Sequence, residues 1–289
     1  MPVSIHQTHP VFVGEVAGID CRNPLSPDEV AAIEAGMDEY AVLVLRDQNI
    51  TDEEQIAFTR HFGELESYNT PGHIRRREDS RLRAGIADFS NLDKDGNIIS
   101  DEDRVWFFKL GDRLWHSDSS FRPIPAKYSL LSGRVLPSWG ANTEFADMRA
   151  AYDALPGAMQ DRLSTLVGLH GRSTGPAGER LYGDDKGTTE KVYHEMRRPA
   201  VIKHPVSGRS ILFVNPMHTH GFVGMAREDA WPLIEELTEH ATQGRFVYYH
   251  HWRIGDVLMW DELATMHRGA GDYRPDERRV MLRTIVYAH

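Results

Sequence analysis

Short apolar runs separated by turn residues predict many strands, with helices near the start of the chain and as later insertions. Ser26-Pro27-Asp28-Glu29 has the sequence of a capping box with proline at the first helical position, and apolar residues follow at helical spacing. Thr51 begins a second helix of the same kind, which Gly63 is expected to end. Between the two helices, the apolar run at residues 41–46 predicts a buried strand.

The rest of the chain continues this mixture. Residues 64–145 contain short β-like runs, residues 147–166 are predicted to be helical with a break at Pro156-Gly157, and residues 227–243 form an amphipathic helix. Five further runs predict strands: VIKHP, SILFVN, RFVYYHHW, DVLMWD and VMLRTIVYA. Because strands dominate and do not alternate regularly with helices, the fold class is mainly β with helical decoration, a β-sandwich or jelly roll. No linker, low-complexity segment or repeat is visible, so we expect a single domain over residues 1–289.

Two motif matches are better explained by ordinary structure. Residues 91–102 have acidic side chains near the positions of a calcium-binding EF-hand loop, but their flanks read as extended and Asp95-Gly96 favours a hairpin turn. Residues 171–175 match the G-x-S-x-G pattern of serine hydrolases, but Pro176 and Gly178 follow where a helix would have to begin. We therefore expect a β-hairpin at the first position and a loop at the second.

Composition and charge narrow the class of protein. The chain has 289 residues, with 43 acidic and 33 basic side chains and a net charge of −10, which argues against broad nucleic-acid binding because phosphates need a basic surface. No apolar run reaches the roughly 20 residues of a membrane span, and the N-terminus lacks the features of a secretory signal. Cys21 is the single cysteine, which excludes an internal disulfide and cysteine-clustered metal sites. We expect a cytoplasmic protein that binds neither nucleic acid nor membrane.

His116-Ser117-Asp118 is the first candidate site. In a strand, residues two apart point to the same face, so this imidazole and carboxylate could bind one metal ion side by side. With His267 as a distant third ligand, the set would be the two-histidine, one-carboxylate facial triad of non-haem iron oxygenases. The motif alone is also compatible with an ordinary pair at the surface or at the edge of the core.

The C-terminal segment adds candidate anion-binding groups. Arg279 and Arg283 are four residues apart, and a strand would place both on one face. Two inward-facing guanidinium groups need anionic partners, and the arginine fork binds carboxylates bidentately. The segment therefore predicts a site for two small anions, or for one anion beside a structural salt bridge.

Four longer segments resemble the taurine/2,4-D (TauD/TfdA) family of Fe(II)- and 2-oxoglutarate-dependent dioxygenases, and the likeness extends over nearly the whole chain. They are WHSDSSFRPIPAKYSLLS (115–132), GANTEFADMRAAYDALP (140–156), HATQGRFVYYHHWRIGDVLMWD (240–261) and the tail from His267 to Arg283. The likeness is greatest to the 2,4-dichlorophenoxyacetate dioxygenase branch. It implies a double-stranded β-helix (jelly roll) that uses Fe(II), 2-oxoglutarate and O2, and a homo-oligomeric assembly.

The resemblance also implies a role for individual residues. His116, Asp118 and His267 would ligate iron, Arg279 and Thr143 would bind the far carboxylate of 2-oxoglutarate, and Arg283 would bind the acidic group of the substrate. Additional substrate contacts are predicted for Ser119 and His218, with His73 and residues 106–109 as weaker candidates.

Two departures from the family pattern affect these assignments. The tail has one more residue than expected between His267 and its arginines, so Arg278 competes with Arg279 for the cosubstrate. The usual Gly-Gly-Asp-Thr is replaced by Gly140-Ala141-Asn142-Thr143, which keeps the threonine and changes the turn before it.

The expected reaction is hydroxylation of the carbon between the ether oxygen and the carboxylate of an aryloxyalkanoate, a small anionic aromatic substrate. The products would be a phenol, a 2-oxoacid such as glyoxylate, succinate and CO2. An alkylsulfonate such as taurine is the alternative substrate, because Arg283 could pair with sulfonate as readily as with carboxylate. A jelly-roll protein that binds anions without turnover is the alternative from another class.

Overall fold

The helices and strands follow most of the capping and hydrophobic signals of the sequence. The computed structural model describes residues 2–66, 82, 85–100, 102, 104–183 and 195–288. Its helices are α1 (Pro27–Tyr40), α2 (Asp52–Thr59), α3 (Arg104–Lys109), α4 (Met148–Asp153), α5 (Gly157–Ser164), α6 (Pro176–Tyr182) and α7 (Arg227–Ala241). Its strands are β1 (Ser4–Gln7), β2 (Gly14–Ala17), β3 (Val42–Leu45), β4 (Ala87–Asp88), β5 (Ala126–Val135), β6 (Thr143–Asp147), β7 (Val167–His170), β8 (Met196–Pro199), β9 (Val201–Lys203), β10 (Ser210–Leu212), β11 (Thr219–Phe222), β12 (Val247–His250), β13 (Val257–Asp261), β14 (Thr265–Gly269) and β15 (Val280–Tyr287).

Both predicted capping boxes are present. The Ser26 hydroxyl accepts the backbone N–H of Glu29, and the Glu29 carboxylate accepts the N–H of Ser26. Thr51 and Glu54 make the same pair of bonds at the start of α2. The first turn of each helix thus has two of its unpaired backbone donors satisfied by side chains.

Two facing sheets form the jelly roll. In the part of the chain that the structure describes, the larger sheet has the order β1-β2-β3-β13-β5-β15-β4 and the smaller one the order β12-β6-β14. The ladders are antiparallel apart from the parallel pair β2–β3. The fold prediction of a mainly β jelly roll is confirmed.

Strand β13 shows how the layers are held together. Val257 and Met259 point outward into a core shared with α1 and α2, whereas Leu258 and Trp260 point inward towards the smaller sheet. Inside the sandwich, the Trp260 ring meets the Phe145 ring of β6 at 5.3 Å between centroids. The central strand is therefore apolar on both faces, which fixes its register and the position of the residues that follow it.

Three local predictions have informative outcomes. The hairpin at residues 91–102 is confirmed, with Leu92 paired to Ile98. Residues 104–109 form α3 where a strand was predicted, because a run of four apolar residues, 105–108, cannot distinguish the two periods. Residues 171–175 form a loop as predicted, but α6 begins directly after it at Pro176, where no helix was expected, because proline at the first helical position has a favourable fixed φ. No helix in the described ranges is long and apolar enough to span a membrane.

Candidate metal centre and anion cavity

The backbone brings together two histidines that are far apart in sequence. His116 and His267 form an isolated antiparallel bridge, in which the His116 N–H donates to His267 O at 3.1 Å and the His267 N–H donates to His116 O at 2.8 Å. His267 lies in β14, whereas His116 is followed at once by a turn in which Ser119 has φ +59°. The prediction that His116-Ser117-Asp118 lies in a strand is therefore wrong, because the pairing ends at His116.

The turn nevertheless directs Asp118 towards both imidazoles. Its Oδ1 lies 3.8 Å from His116 Nε2 and its Oδ2 lies 3.9 Å from His267 Nε2. One ligand atom from each of the three residues lies within 4.8 Å of the others, and no second such group occurs within the described ranges. Two imidazole nitrogens and one carboxylate oxygen are the donor set of a facial triad.

The outer nitrogens of the two histidines have different surroundings. Nδ1 of His116 lies 2.6 Å from Leu114 O, which leaves Nε2 free to act as a ligand. Nδ1 of His267 is buried and has no hydrogen-bond partner among the described residues; the nearby Oε2 of Glu262 is 3.9 Å away. Glu262 was not singled out in the sequence, where a carboxylate two residues after the apolar run 257–260 looks the same as an ordinary turn residue.

Charges around the triad shift its ionisation. Burial opposes ionisation of Asp118, but Arg283 and the two histidines hold its pKa well below the usual range for a carboxyl. Burial and the nearby Asp118 raise the pKa of Glu262. Burial, with His116 beside it, lowers the pKa of His267, so its imidazole is neutral and available as a ligand.

A cavity opens beside the triad between the two sheets. It encloses about 830 Å³, its open mouth included, and its wall contains His116 and His267 together with Thr143, Arg279 and Arg283. The other polar, charged and aromatic residues of the wall are Phe89, Ser90, Asn91, Trp106, Lys109, Asp112, Arg113, Asn142, Tyr273 and Trp260.

Arg279 points one side of its guanidinium into this cavity. Nη1 donates to Phe89 O at 3.0 Å, while the buried Nε has no hydrogen-bond partner among the described residues. The neighbouring Arg278 is exposed and is not part of the wall. Thr143 is buried at the start of β6, and its hydroxyl accepts the indole N–H of Trp252 at 3.0 Å. Arg279, rather than Arg278, therefore shares the cavity with Thr143.

Arg283 lies closer to the triad. Its Nη1 donates to Asp118 Oδ2, and its guanidinium carbon lies 4.0 Å from the centre of the Phe89 ring. Arg283 is thus positioned where an anion near the metal would meet it.

The remaining predicted substrate residues are placed differently. Ser119 does not belong to the cavity wall, and its hydroxyl donates to Glu66 at 3.4 Å. His218 is buried behind His116, with ring centroids 6.2 Å apart, and its Nδ1 accepts the N–H of Ser173. Trp106 and Lys109 do line the cavity, and His73 lies outside the described residues.

Two other charged residues of the wall, Asp112 and Arg113, were missed in the sequence. They lie in a short 3-10 turn before His116. Their proximity to the metal motif was the available signal, but ordinary loop charges look the same in a sequence.

Comparison with known proteins places this geometry in a family. A family model described as "Taurine catabolism dioxygenase TauD, TfdA family" matches residues 4–285. The alpha-ketoglutarate-dependent 2,4-dichlorophenoxyacetate dioxygenase of Cupriavidus pinatubonensis is 41% identical over 93% of this chain and 92% of its own length. The (S)-phenoxypropionate/alpha-ketoglutarate-dioxygenase of Sphingobium herbicidovorans is 34% identical over 86% of this chain and 83% of its own.

A solved structure extends the likeness to the whole fold. AAD-2, crystallised with Mn(II) and N-oxalylglycine, is 41% identical, with a TM-score of 0.88 over 100% of this chain and 98% of the AAD-2 chain. The match covers both sheets and the segments that bear the triad and the arginines. The chain belongs to the TauD, TfdA family of dioxygenases.

Proposed function

We propose that the protein is an Fe(II)- and 2-oxoglutarate-dependent dioxygenase that hydroxylates aryloxyalkanoates at the carbon next to the ether oxygen. The observation that carries the proposal is one cavity in which a two-histidine, one-carboxylate group lies beside two arginines. The names of the relatives support the substrate class, since both act on aryloxy acids.

The residues of the centre fit iron. His116, Asp118 and His267 would hold it through one carboxylate and two neutral imidazoles, the donor set of non-haem Fe(II) oxygenases. When bound, iron supplies the activation of O2 that no protein side chain can perform. The role of the three residues is to hold the metal from one side and leave the cavity side open.

Arg279 and Thr143 would bind 2-oxoglutarate. The Nε of Arg279 is a buried donor without a partner among the described residues, which a carboxylate can satisfy, and a guanidinium fork binds a carboxylate bidentately. The Thr143 hydroxyl already accepts from Trp252 and can donate its own proton to the same anion.

Arg283 would bind the substrate carboxylate, and the aromatic wall would receive its ring. Phe89 stacks against the Arg283 guanidinium, so an aryl group entering with its carboxylate on Arg283 would meet aromatic surface. Ser119 and His218 remain proposed substrate contacts, although neither belongs to the described cavity wall: Ser119 bonds Glu66, and the ring of His218 packs against that of His116.

The products follow from the chemistry of the substrate. One oxygen atom of O2 is inserted into the C–H bond of the substrate. The other is incorporated into succinate as 2-oxoglutarate loses CO2. The hydroxylated carbon carries both a hydroxyl and an ether oxygen, so this hemiacetal collapses to a phenol and a 2-oxoacid, which is glyoxylate for an aryloxyacetate. The protein contributes orientation and charge pairing.

We further infer that the protein acts in the cytoplasm as a homo-oligomer. The single cysteine and the absence of a long apolar run in the sequence support the location. Sedimentation of the purified protein would measure the assembly, and a monomer at micromolar concentration would contradict it.

The decisive experiment measures succinate from 2-oxoglutarate with Fe(II) and ascorbate, with phenoxyacetate, with taurine and with no added substrate. We expect phenoxyacetate to stimulate succinate formation, with phenol released in equal amount. Stimulation by taurine alone would favour the alternative hypothesis, an alkylsulfonate substrate. Iron binding without succinate under any of these conditions would favour the non-catalytic anion-binding protein.

A further inference from the structure

We infer that Glu262 is a positioning residue of the metal centre, which holds Asp118 in place and orients His267. The inference rests on the proposed iron site. It concerns a side chain outside the three proposed ligands that contacts one of them and faces another.

The backbone around Glu262 is held firmly. Asp261, at the end of β13, accepts the N–H groups of Leu263 and Ala264 at 2.8 and 3.0 Å. The Glu262 N–H donates to Lys127 O at 2.9 Å. These bonds fix the backbone from which the Glu262 side chain extends towards the triad.

The carboxylate bridges two parts of the fold. Oε1 accepts the hydroxyl of Ser129 in β5 at 2.6 Å, and Oε2 accepts the backbone N–H of Asp118 at 2.8 Å. Glu262 is only 1% exposed, so water does not compete with these bonds. The bond to Asp118 fixes the turn that presents the proposed carboxylate ligand.

The same Oε2 faces His267, whose Nδ1 has no hydrogen-bond partner among the described residues. When Nε2 of a neutral imidazole binds a metal, its proton resides on Nδ1, and metal-bound histidines usually donate that proton to a carboxylate or a carbonyl. His116 has Leu114 O for this purpose, whereas the Nδ1 of His267 is 3.9 Å from Glu262 Oε2 and has no other partner among the described residues. Oε2 has a second lone pair for the bond, so Glu262 can complete a carboxylate–histidine–metal arrangement.

The test titrates Mn(II) alone into chelator-treated full-length protein and follows free Mn(II) by electron paramagnetic resonance. Glu262→Gln keeps the size of the side chain and can still form hydrogen bonds with Ser129 and the Asp118 N–H, but it removes the negative charge. Glu262→Leu removes the acceptor altogether. We expect the Kd for Mn(II) to rise about tenfold in the first variant and towards about 100-fold in the second.

Asp256→Asn is the matched control. It removes a buried carboxylate, 1% exposed, that directly precedes β13 and binds Arg46 and His250. We expect it to lower the melting temperature of the metal-free protein and to leave the Kd for Mn(II) near the wild-type value.

The outcomes separate the inference from the proposed function. Tight Mn(II) binding by the wild type, with equal affinity in both Glu262 variants, would overturn the inference and leave the metal centre intact. Failure of the wild type to bind Mn(II) would overturn both. Graded weakening in the two variants, absent from Asp256→Asn, supports the inference.

A measurement on the wild type covers the case in which the variants do not fold. In Zn(II)-loaded protein labelled with nitrogen-15 in histidine, we expect the Nδ1 proton of His267 to be visible by NMR and slow to exchange with water. Rapid exchange of this proton would show that Glu262 does not bind it, and the inference would fail.

Discussion

Arg278 and Arg279 are neighbours in the chain with different surroundings. Arg278 is exposed, whereas Arg279 enters the cavity wall and carries a buried N–H without a partner among the described residues. A buried guanidinium with an unmade hydrogen bond is unfavourable, so an anion that satisfies it gains affinity. The extra residue in the tail left this choice open in the sequence, and only the fold separates the two side chains.

Arg279→Ala should raise the KM for 2-oxoglutarate by at least about 30-fold, because loss of one partner of a buried charge pair costs roughly 2–5 kcal/mol. Steady-state kinetics at saturating phenoxyacetate would measure it. Arg278→Ala is the control and should leave this KM unchanged. Equal effects in the two variants would remove Arg279 from the cosubstrate site.

His170 gives the protein a dependence on pH that is separate from catalysis. Burial lowers the pKa of His170 to about 3, and its ring lies between the hydroxyls of Ser120 and Thr219. Between pH 6.5 and about 3, the unfolded chain binds a proton at His170 that the folded protein does not. The free energy of unfolding therefore falls as the pH falls through this window.

His170→Gln should reduce the fall in the free energy of unfolding at low pH. From pH 7.5 to 5.5 we expect His170 to account for a decrease of about 1.4 kcal/mol in the free energy of unfolding, measured by urea denaturation of the metal-free protein. The variant should lack this part of the decrease. The exposed control His6→Gln should keep it, and a wild-type-like decrease in His170→Gln would contradict the assignment.

Two loops meet at the end of the cavity that contains Thr143. Asp272, in the tail after β14, accepts the backbone N–H of Asn142 at 3.1 Å, its side-chain amide at 2.6 Å and the hydroxyl of Tyr249. Gly140 has φ +76°, and a Cβ there would lie 2.1 Å from Asp272 O, so only glycine allows the loops to approach this closely. These contacts hold the strand start that carries Thr143.

Asp272→Ala should loosen the loop and raise the KM for 2-oxoglutarate about tenfold, since hydrogen bonds to a charged group contribute about 1.5–3 kcal/mol. The KM for phenoxyacetate should change little, because Arg283 lies on a different strand. Asp276→Ala removes an exposed carboxylate paired with Arg274 and is the control. A parallel rise in both KM values would indicate a general loss of structure.

The helices and the long strands could be predicted because each has a local signal: a capping box at Ser26 and Thr51, and a continuous apolar run in β13. The triad and the arginine pair could be predicted because their residue types and spacing resemble a family. Glu262 and Asp112 could not, because a carboxylate acquires its role only from neighbours brought close by the fold. The short helix α3 was not predicted, because its apolar run is too short to distinguish a helix from a strand.

The two ends of the chain meet in the larger sheet. The C-terminal strand β15 lies between β5 and β4, and Gln55 of α2 donates to Leu282 O at 2.9 Å. Leu65 forms a bridge to Val286. Contacts of such large separation in sequence support the expectation of a single domain, because neither end has a sheet of its own.

Deletion of residues 280–289 should therefore abolish the whole cooperative fold. We expect circular dichroism without a thermal transition, since β5 loses its neighbour and α2 its inner contacts. Deletion of residues 1–7 is the control, because β1 is a mostly exposed edge strand, and this variant should still melt cooperatively. A well-folded remainder after the C-terminal deletion would indicate two separable units.

The bridge between His116 and His267 has a consequence for how the protein acquires its metal during synthesis. A ribosome that adds about 5–20 residues per second needs roughly 8–30 s to travel from the first histidine to the second. Throughout that time the nascent chain carries two of the three proposed ligands and neither of the hydrogen bonds that align them. Iron loading thus belongs to the finished polypeptide, and a product that terminates before His267 would keep a histidine and an aspartate with little capacity to retain the ion.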